Sequence, residues 1–349
     1  MTPKRRIFPI FIPHVGCEHD CVFCDQRRIT GTFIPAVFDD VLAALHSLWC
    51  EQKDRVKKTE NGYVDAAESA ELAFYGGSFT AIAVERQNEL LTAAQPFLRL
   101  NPFNSIRVST RPDCLDEGAA KRLRSYGVAT VELGAQSMCD DVLQASGRGH
   151  TAESVTRSAA MVKAAGFSLI LQMMTGLPGD SREKSLYTAK CLAAMAPDYV
   201  RIYPTVVIKG TRLHEMWKTG SYIAPTVDDA VHLCVAVCTV FDTAGIPVIR
   251  LGLNPTDYLS SGDAVAGAYH PAFGELVYSA MYLAKAESAL RDSGAAKDVV
   301  ITVPRGQVSR MTGYRRQNVC ALKQNFRLNT LKIVESDIKQ GEIIVEIKP

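Results

Sequence analysis

The run Ile7-Phe8-Pro9-Ile10-Phe11-Ile12-Pro13, followed at Cys17-Glu18-His19-Asp20-Cys21-Val22-Phe23-Cys24 by three closely spaced cysteines, decides how this chain is read. The first stretch is apolar and strand-like, and a helix is expected after Cys24, so the thiols sit on a loop that leaves a strand. Thiols grouped in this way read as metal ligands rather than a coincidence of spacing, because a motif gains its weight from such a context. Zinc is one occupant, but it takes four protein ligands, commonly as two paired knuckles. Here His14 or His19 would have to complete the set, and no second knuckle lies nearby. A four-iron cluster is the other: it takes one thiolate per iron, so three thiols leave one iron with an open position.

The chain has 349 residues, 47% of them hydrophobic, a formal charge of +2 and a mean hydropathy of +0.01. That is enough apolar material for one large domain, or a large and a small one. Lys4, Arg5 and Arg6 precede the first apolar run, but the run is short, broken by proline and followed by no small-residue cleavage site, so no secretion signal is read. No segment reaches the roughly 20 apolar residues of a membrane span. A cytoplasmic protein with no membrane partner is expected. Ten cysteines without a secretory leader indicate reduced thiols rather than a disulfide framework. Cys234 and Cys238 share one face of an apolar helix, and with the scattered Cys50, Cys114, Cys139, Cys191 and Cys320 they read as buried, inert thiols.

From residue 7 to about 253, short apolar strands alternate with amphipathic helices, the pattern of a parallel sheet with crossover helices. The strands are expected at Ile7–Pro13, Glu71–Phe74, Ile106–Thr110, Thr130–Leu133, Phe167–Met174, Tyr199–Tyr203 and Pro247–Leu253. Asp180 with Glu183, and Thr226 with Asp229, read as capping boxes, while Gly127, Gly166, Gly220 and Gly245 fall at helix C-termini. The fold class is α/β: a partial (β/α)6, TIM-like barrel over residues 1–255. Such barrels carry their chemistry on the loops at the C-terminal ends of the strands, and the three cysteines lie on the first of these. Lys57 to Ala70 read as a polar surface loop, in part disordered.

Residues 256–349 read as a small C-terminal α+β appendage: a helix over Phe273–Ser293, a strand at Val299–Val303, one helix near Ser309–Phe326 and two closing strands. Between Arg305 and Lys332 there are seven cations and no carboxylate, with Tyr314 and Phe326 interleaved. That asymmetry suits a phosphate backbone, and it equally suits a solvated helix face.

Further motifs follow the cysteine loop in order: Tyr75-Gly-Gly-Ser-Phe79, Ser109-Thr-Arg-Pro-Asp113, Gly134-Ala-Gln-Ser137, Arg148-Gly-His150, Gly176-Leu-Pro178 and Tyr203 through Thr211. Over about residues 7–220 the chain thereby resembles the radical S-adenosylmethionine (radical SAM) portion of the Elongator catalytic subunit family and, more distantly, coproporphyrinogen-oxidase-like radical SAM proteins. The resemblance implies that Cys17, Cys21 and Cys24 hold a [4Fe-4S] cluster whose open iron chelates S-adenosyl-L-methionine, generating a 5′-deoxyadenosyl radical. It further implies that Gly76 and Gly77 meet the methionine amine and that Phe23 neighbours adenine. Gln136 and Arg148 correspond to the pair that bonds ribose and the methionine carboxylate. An ordinary turn, a core phenylalanine, a loop contact and a surface ion pair are the alternative readings of these positions.

The chain departs from the pattern in places. Gln172 stands where coproporphyrinogen-oxidase-like members carry an aspartate, and Ser109 where a glutamate often contacts the cofactor. Arg111 is accordingly a candidate for substrate. The Elongator family spaces its first two cysteines farther apart, and the residues beyond the radical portion leave no room for that family's acetyltransferase domain. The resemblance and the basic segment together imply tRNA or another RNA as partner, with Lys209, Arg212 and Arg111 facing phosphates, and an external electron donor protein. Radical oxidation of a porphyrin or other small molecule is a second reading. A non-catalytic haem- or partner-binding protein that retains the cluster is a third. Asn254 to Asp257, Asp263 and His270 to Glu275 read as a lid, with His270 on the substrate side.

Overall fold

The structure is a computed structural model that describes residues 6–12, 14–17, 21–32, 34, 36–43, 46–47, 50, 70–99, 105–292 and 297–348. The surface loop expected at Lys57 to Ala70 lies outside these residues except for Ala70, as do Pro13 and the histidine at 19. Seven strands make one parallel sheet: β1 (Arg6–Phe11), β2 (Ala70–Tyr75), β3 (Ser105–Thr110), β4 (Val128–Gln136), β5 (Ser168–Thr175), β6 (Tyr199–Pro204) and β8 (Val248–Leu251), hydrogen-bonded in that order. The sheet curls into a partial barrel whose terminal strands, β1 and β8, are its two edges. Side chains alternate between the faces of a strand. On β3 the fully buried Ile106 and Val108 join the core beneath the helices, whereas Ser109 lines the concave side. The same alternation places Glu132, Gly134 and Gln136 of β4, and Arg201 and Tyr203 of β6, on that concave side.

Charge, rather than apolar layers, fills part of this interior. Arg107 donates from Nε to Glu71 Oε2 (2.8 Å) and from Nη1 to Glu132 Oε1 (2.8 Å), with a further contact from Nη2 to Glu71. Arg201 Nη2 lies 3.0 Å from the same Glu132 oxygen. The Tyr75 hydroxyl donates to Glu132 (2.9 Å) and accepts from Arg201 (2.8 Å), and burial together with the Glu132 charge pushes its pKa up. Thr130 donates to the remaining Glu71 oxygen at 2.6 Å. Such a network need not add net stability, but removing one member strands the others at low dielectric.

The helices explain where the strands stop. Thr226 caps α8 (Val227–Thr243) in a reciprocal box with Asp229, as expected. The box expected at Asp180 does not form: Ser181 caps α6 (Arg182–Ala194), while Asp180 accepts from Gly176 N–H (2.8 Å) and the Ser185 hydroxyl (2.6 Å). An aspartate one residue too early for the cap braces the preceding turn instead. Gly127, Gly166, Gly220 and Gly245 all have positive φ.

A two-stranded ribbon pairs β7 (Val206–Ile208), just after β6, with β9 (Ala264–Gly267), beyond β8, which the sequence reading did not anticipate. Helix α9 (Phe273–Asp292) begins in the barrel core with Phe273 and Val277. Its Tyr282, Ala286 and Leu290 belong to a second core under a three-stranded sheet. In that sheet β10 (Asp298–Pro304) pairs parallel with β11 (Thr330–Ser336) and antiparallel with β12 (Ile344–Lys348). The single helix expected near Ser309–Phe326 is broken: α10 (Val308–Thr312) ends at Gly313, a short turn follows, and α11 (Gln317–Phe326) begins after Arg315 and Arg316, both at positive φ.

Candidate functional site

The cysteine loop hangs between two strand ends. Ile12 N–H donates to Tyr75 O (2.7 Å), His14 N–H to Gly76 O (2.8 Å), and Ser78 N–H to Val15 O (3.1 Å), so the loop pairs with the turn after β2. This approach is close enough to require glycine. A Cβ at Gly77 would stand 2.2 Å from Val15 O, and one at Gly16 2.3 Å from Ser78 O. The second half of the loop is fastened elsewhere: Val22 N–H donates to Ser146 O (3.1 Å) and Leu213 N–H to Val22 O (2.7 Å). His14 Nε2 accepts from Gln26 N–H at 3.0 Å, tying the residues before the cysteines to those after. That nitrogen is thereby occupied, so it is not open to a zinc ion, and His19, the other ligand the zinc reading offered, lies outside the described residues. Among the described residues no three His, Cys, Asp or Glu side chains gather as ligands of one ion. A cubane, with one thiolate on each of several irons, holds its ligands farther apart than a single ion does.

Cys17, Cys21 and Cys24 face one cavity of about 1020 Å³. Phe23, Gly76, Gly77, Ser109, Gln136, Arg148 and Gln172 line it as well, so the residues that the resemblance assigns to cluster and cofactor meet there. Phe23 is largely buried, packed in a cluster with Val22, Leu177, Leu213 and Tyr222. Gln136 ends β4 at a register shift and adopts a left-handed backbone, φ 64°, rare for a residue with a side chain. Its Oε1 accepts from Gln172 Nε2 at 3.4 Å, and Gly134 leaves space for its amide: a Cβ there would lie 2.9 Å from Gln136 Nε2.

Two guanidinium groups stand by the thiols. Arg148 Nη1 donates to Cys21 Sγ (3.2 Å) and Nη2 to Gly134 O (2.8 Å), while its buried Nε has no partner. Arg111 is nearly buried, bonded through two nitrogens to Asp113 (3.0 and 2.7 Å), and lines the cavity. Burial raises the Cys17 and Cys24 thiol pKa values, which the neighbouring thiols reinforce and the Arg148 charge opposes. Thiols so placed favour the protonated form unless a cationic centre takes them as thiolates. His150 Nε2 lies 3.1 Å from Ala135 O, and burial, with the Arg148 charge, lowers its pKa to about 4.

The remaining expectations divide. Asn254 and Thr256 line the cavity, but His270 accepts from Ala272 N–H in an exposed turn and Glu275 pairs with Arg310 (2.6 Å). Lys209 and Arg212 are exposed. Cys234 and Cys238 are buried in the core, and burial pushes the Cys234 thiol up to about 12. Among the seven cations of the C-terminal segment, Arg310 is held by Glu275 and Arg305 by Asp337 (2.8 Å), so carboxylates outside the segment neutralise part of its charge. Tyr75 and Tyr203, which entered the sequence reading only as the first residues of two motifs, also line the cavity, as do Glu132, Arg201 and Arg250, which were not singled out. Glu132, Arg201 and Arg250 are lone charges in otherwise apolar strands, a pattern that does not say whether a side chain points to solvent or into a barrel.

A curled parallel sheet with three cysteines on the loop after its first strand is a partial α/β barrel with a thiol-lined mouth. Residues 11–192 match the profile of the radical SAM superfamily, and residues 197–283 that of the Radical_SAM C-terminal domain. The chain belongs to the radical SAM superfamily. Elongator complex protein 3 of Dictyostelium discoideum is 38% identical over 136 residues, which cover 38% of this chain and 24% of that protein. The tRNA uridine(34) acetyltransferase of Methanocaldococcus infernus is 29% identical over 253 residues, 62% of this chain and 46% of that one. The chain thus spans less than half the length of these two relatives. The solved structure of the archaeal Methanocaldococcus infernus Elp3 with an N-terminal deletion shares the fold, with a TM-score of 0.58 and 23% identity over 79% of this chain and 63% of that one. No helix among the described residues is long and apolar enough to cross a membrane.

Proposed function

We propose that this chain is a radical SAM enzyme that modifies a base of tRNA, drawing its electron from a separate donor protein. The observation that carries the reading is the convergence of three thiols, the Gly76-Gly77 turn, Gln136, Arg148 and Gln172 from separate strands on one cavity. When bound, a [4Fe-4S] cluster and S-adenosyl-L-methionine supply the one-electron cleavage of the sulfonium that starts hydrogen abstraction.

The residues fit that pair. Cys17, Cys21 and Cys24 hold the cluster, and the Arg148 guanidinium against Cys21 offsets the negative charge that three thiolates bring. The unpartnered Arg148 Nε, the Gln136 and Gln172 amides and Ser109 give the cofactor's polar groups their partners. Gly76 and Gly77 keep side chains out of the space beside the loop, and Phe23 offers an apolar face for adenine. The cavity volume lies at the upper end of the range usual for ligand sites, enough for a cofactor together with a substrate group.

Two observations support tRNA as the substrate. Two relatives, each matched over 62% of this chain, are named tRNA uridine(34) acetyltransferase. Tyr314 and the Arg315–Arg316 turn stand out from the small domain, with Arg315 packed 5.1 Å from the Tyr314 ring centre, an exposed basic and aromatic surface that suits phosphates and bases.

The test is anaerobic reconstitution followed by reductant and cofactor, reading 5′-deoxyadenosine with and without bulk tRNA. Release stimulated by tRNA is expected. Release stimulated only by small molecules overturns the substrate, and no release under any condition overturns the enzyme. Salt titration of RNA binding should show a steep fall in affinity, made shallower by replacing Arg315 and Arg316 with glutamine.

A further inference from the structure

We propose that Arg201 and Arg250 form an anion subsite in the barrel interior, taking a carboxylate or phosphate group of the substrate or of a small co-substrate. This rests on the reading of the cavity as the place of reaction, and it concerns residues other than those assigned to the cluster and the cofactor.

Charge balance is the starting point. Glu71 and Glu132 are the two carboxylates of the interior network, against the three guanidinium groups of Arg107, Arg201 and Arg250. Arg107 bonds to both carboxylates, and Glu132 is already shared by Arg107, Arg201 and the Tyr75 hydroxyl. Arg250 has no carboxylate and no hydrogen-bond partner among the described residues. Among the described residues, this group of three guanidiniums and two carboxylates therefore carries one cation more than its anions neutralise. A partly desolvated surplus charge is unfavourable unless something of opposite sign joins it.

Geometry points the surplus at one place. Arg201 and Arg250 are register partners on the adjacent parallel strands β6 and β8, so their side chains leave the sheet on the same face, and both line the cavity. Two like charges side by side repel, and only an anion between them reverses the sign of that interaction. Arg201 is already aimed: its Nη2 is fixed by Glu132 and Tyr75 and its guanidinium lies 5.1 Å from the Tyr75 ring centre, while its buried Nε is left without a partner. A donor held rigidly but unused is what a ligand oxygen completes. Guanidinium forks suit the paired oxygens of a carboxylate or phosphate better than a lysine would. Tyr203, on the same strand as Arg201 and also lining the cavity, adds a hydroxyl to the same wall.

The experiment uses cluster-loaded protein with S-adenosyl-L-methionine, kept free of oxygen, and follows the thermal unfolding midpoint in acetate, in inorganic phosphate and in chloride at matched ionic strength. A bound anion raises the midpoint with its concentration. Acetate or phosphate should stabilise the wild type saturably beyond chloride, and the more effective of the two identifies the group. In Arg250→Gln the half-saturating concentration should rise about tenfold or more, with Arg250→Lys in between, while cluster absorbance stays at the wild-type value. Arg250→Gln leaves no carboxylate stranded, so it should fold, and in chloride it should be at least as stable as the wild type. Stabilisation by neither probe, or an unchanged response in Arg250→Gln, overturns the subsite. Loss of the radical reading would show separately, as protein that responds to the anion yet releases no 5′-deoxyadenosine.

Discussion

Arg148 lies against Cys21, with Nη1 3.2 Å from the sulfur and Nη2 2.8 Å from the carbonyl of Gly134. One side chain thus links the cysteine loop to the end of β4 and puts a fixed positive charge beside a thiol. Its Nε is unused, so the same group can serve the loop and a bound carboxylate together. Replacement by alanine removes a charge-assisted hydrogen bond, worth about 1.5–3 kcal/mol. Cofactor affinity in reconstituted Arg148→Ala should fall roughly ten- to hundredfold, as measured by equilibrium dialysis, with iron content retained. Unchanged affinity would reject the assigned role.

The turn after β2 is as demanding. Gly77→Ala would bring a methyl group 2.2 Å from Val15 O and 2.8 Å from Ile12 O, both backbone atoms that yield only if the loop moves. Overpacking of this sort costs about 1–3 kcal/mol. The variant should show a lower urea midpoint and, because the loop carries Cys17, a reduced iron-to-protein ratio after reconstitution. Full iron loading at wild-type stability would contradict the contact.

Glu132 holds two arginines and a tyrosine. Glu132→Ala leaves Arg107 and Arg201 without their shared carboxylate in the protein interior, and breaking a buried pair in this way costs about 3–5 kcal/mol. Urea unfolding should reveal the loss. Glu132→Gln keeps the shape but not the charge and should fall between the two.

His150 gives the fold a pH dependence. In the folded protein it resists protonation down to about pH 4, whereas unfolded histidine takes a proton near 6.5. Between those values the unfolded chain binds more protons, so stability is full above roughly pH 6.5 and declines as pH falls toward 4. The decline attributable to His150 is on the order of 3 kcal/mol. Urea midpoints across that window should drop less steeply in His150→Gln than in the wild type; parallel slopes would remove the assignment.

Much of this arrangement could be read from residues alone, for physical reasons that also mark the limits. The strands announced themselves because apolar residues recur where a parallel sheet is covered by helices, and the glycines at 127, 166, 220 and 245 fall where helices end. Cys17, Cys21 and Cys24 were conspicuous because few structural needs place three thiols so close. Arg201 and Arg250 were not, since a charged residue in a strand looks the same whether it points to solvent or into a barrel. The break at Gly313 was hidden by a helix-compatible composition on both sides. The cations of the same segment looked uncompensated because Glu275 and Asp337, which pair with Arg310 and Arg305, lie far off in sequence.

Helix α9 governs how the chain can be dissected. Its first turns, with Phe273 and Val277, are packed into the barrel alongside α8, and its last, with Tyr282, Ala286 and Leu290, roof the small sheet. A truncation before the helix uncovers apolar surface on the barrel, and one through its middle uncovers it on both pieces. Excising the basic C-terminal segment to ask whether it recruits RNA would leave Tyr282, Ala286 and Leu290 bare on a helix that is anchored in the barrel. Charge-reversing substitutions at the surface are the cleaner tool, because they leave this shared rod intact.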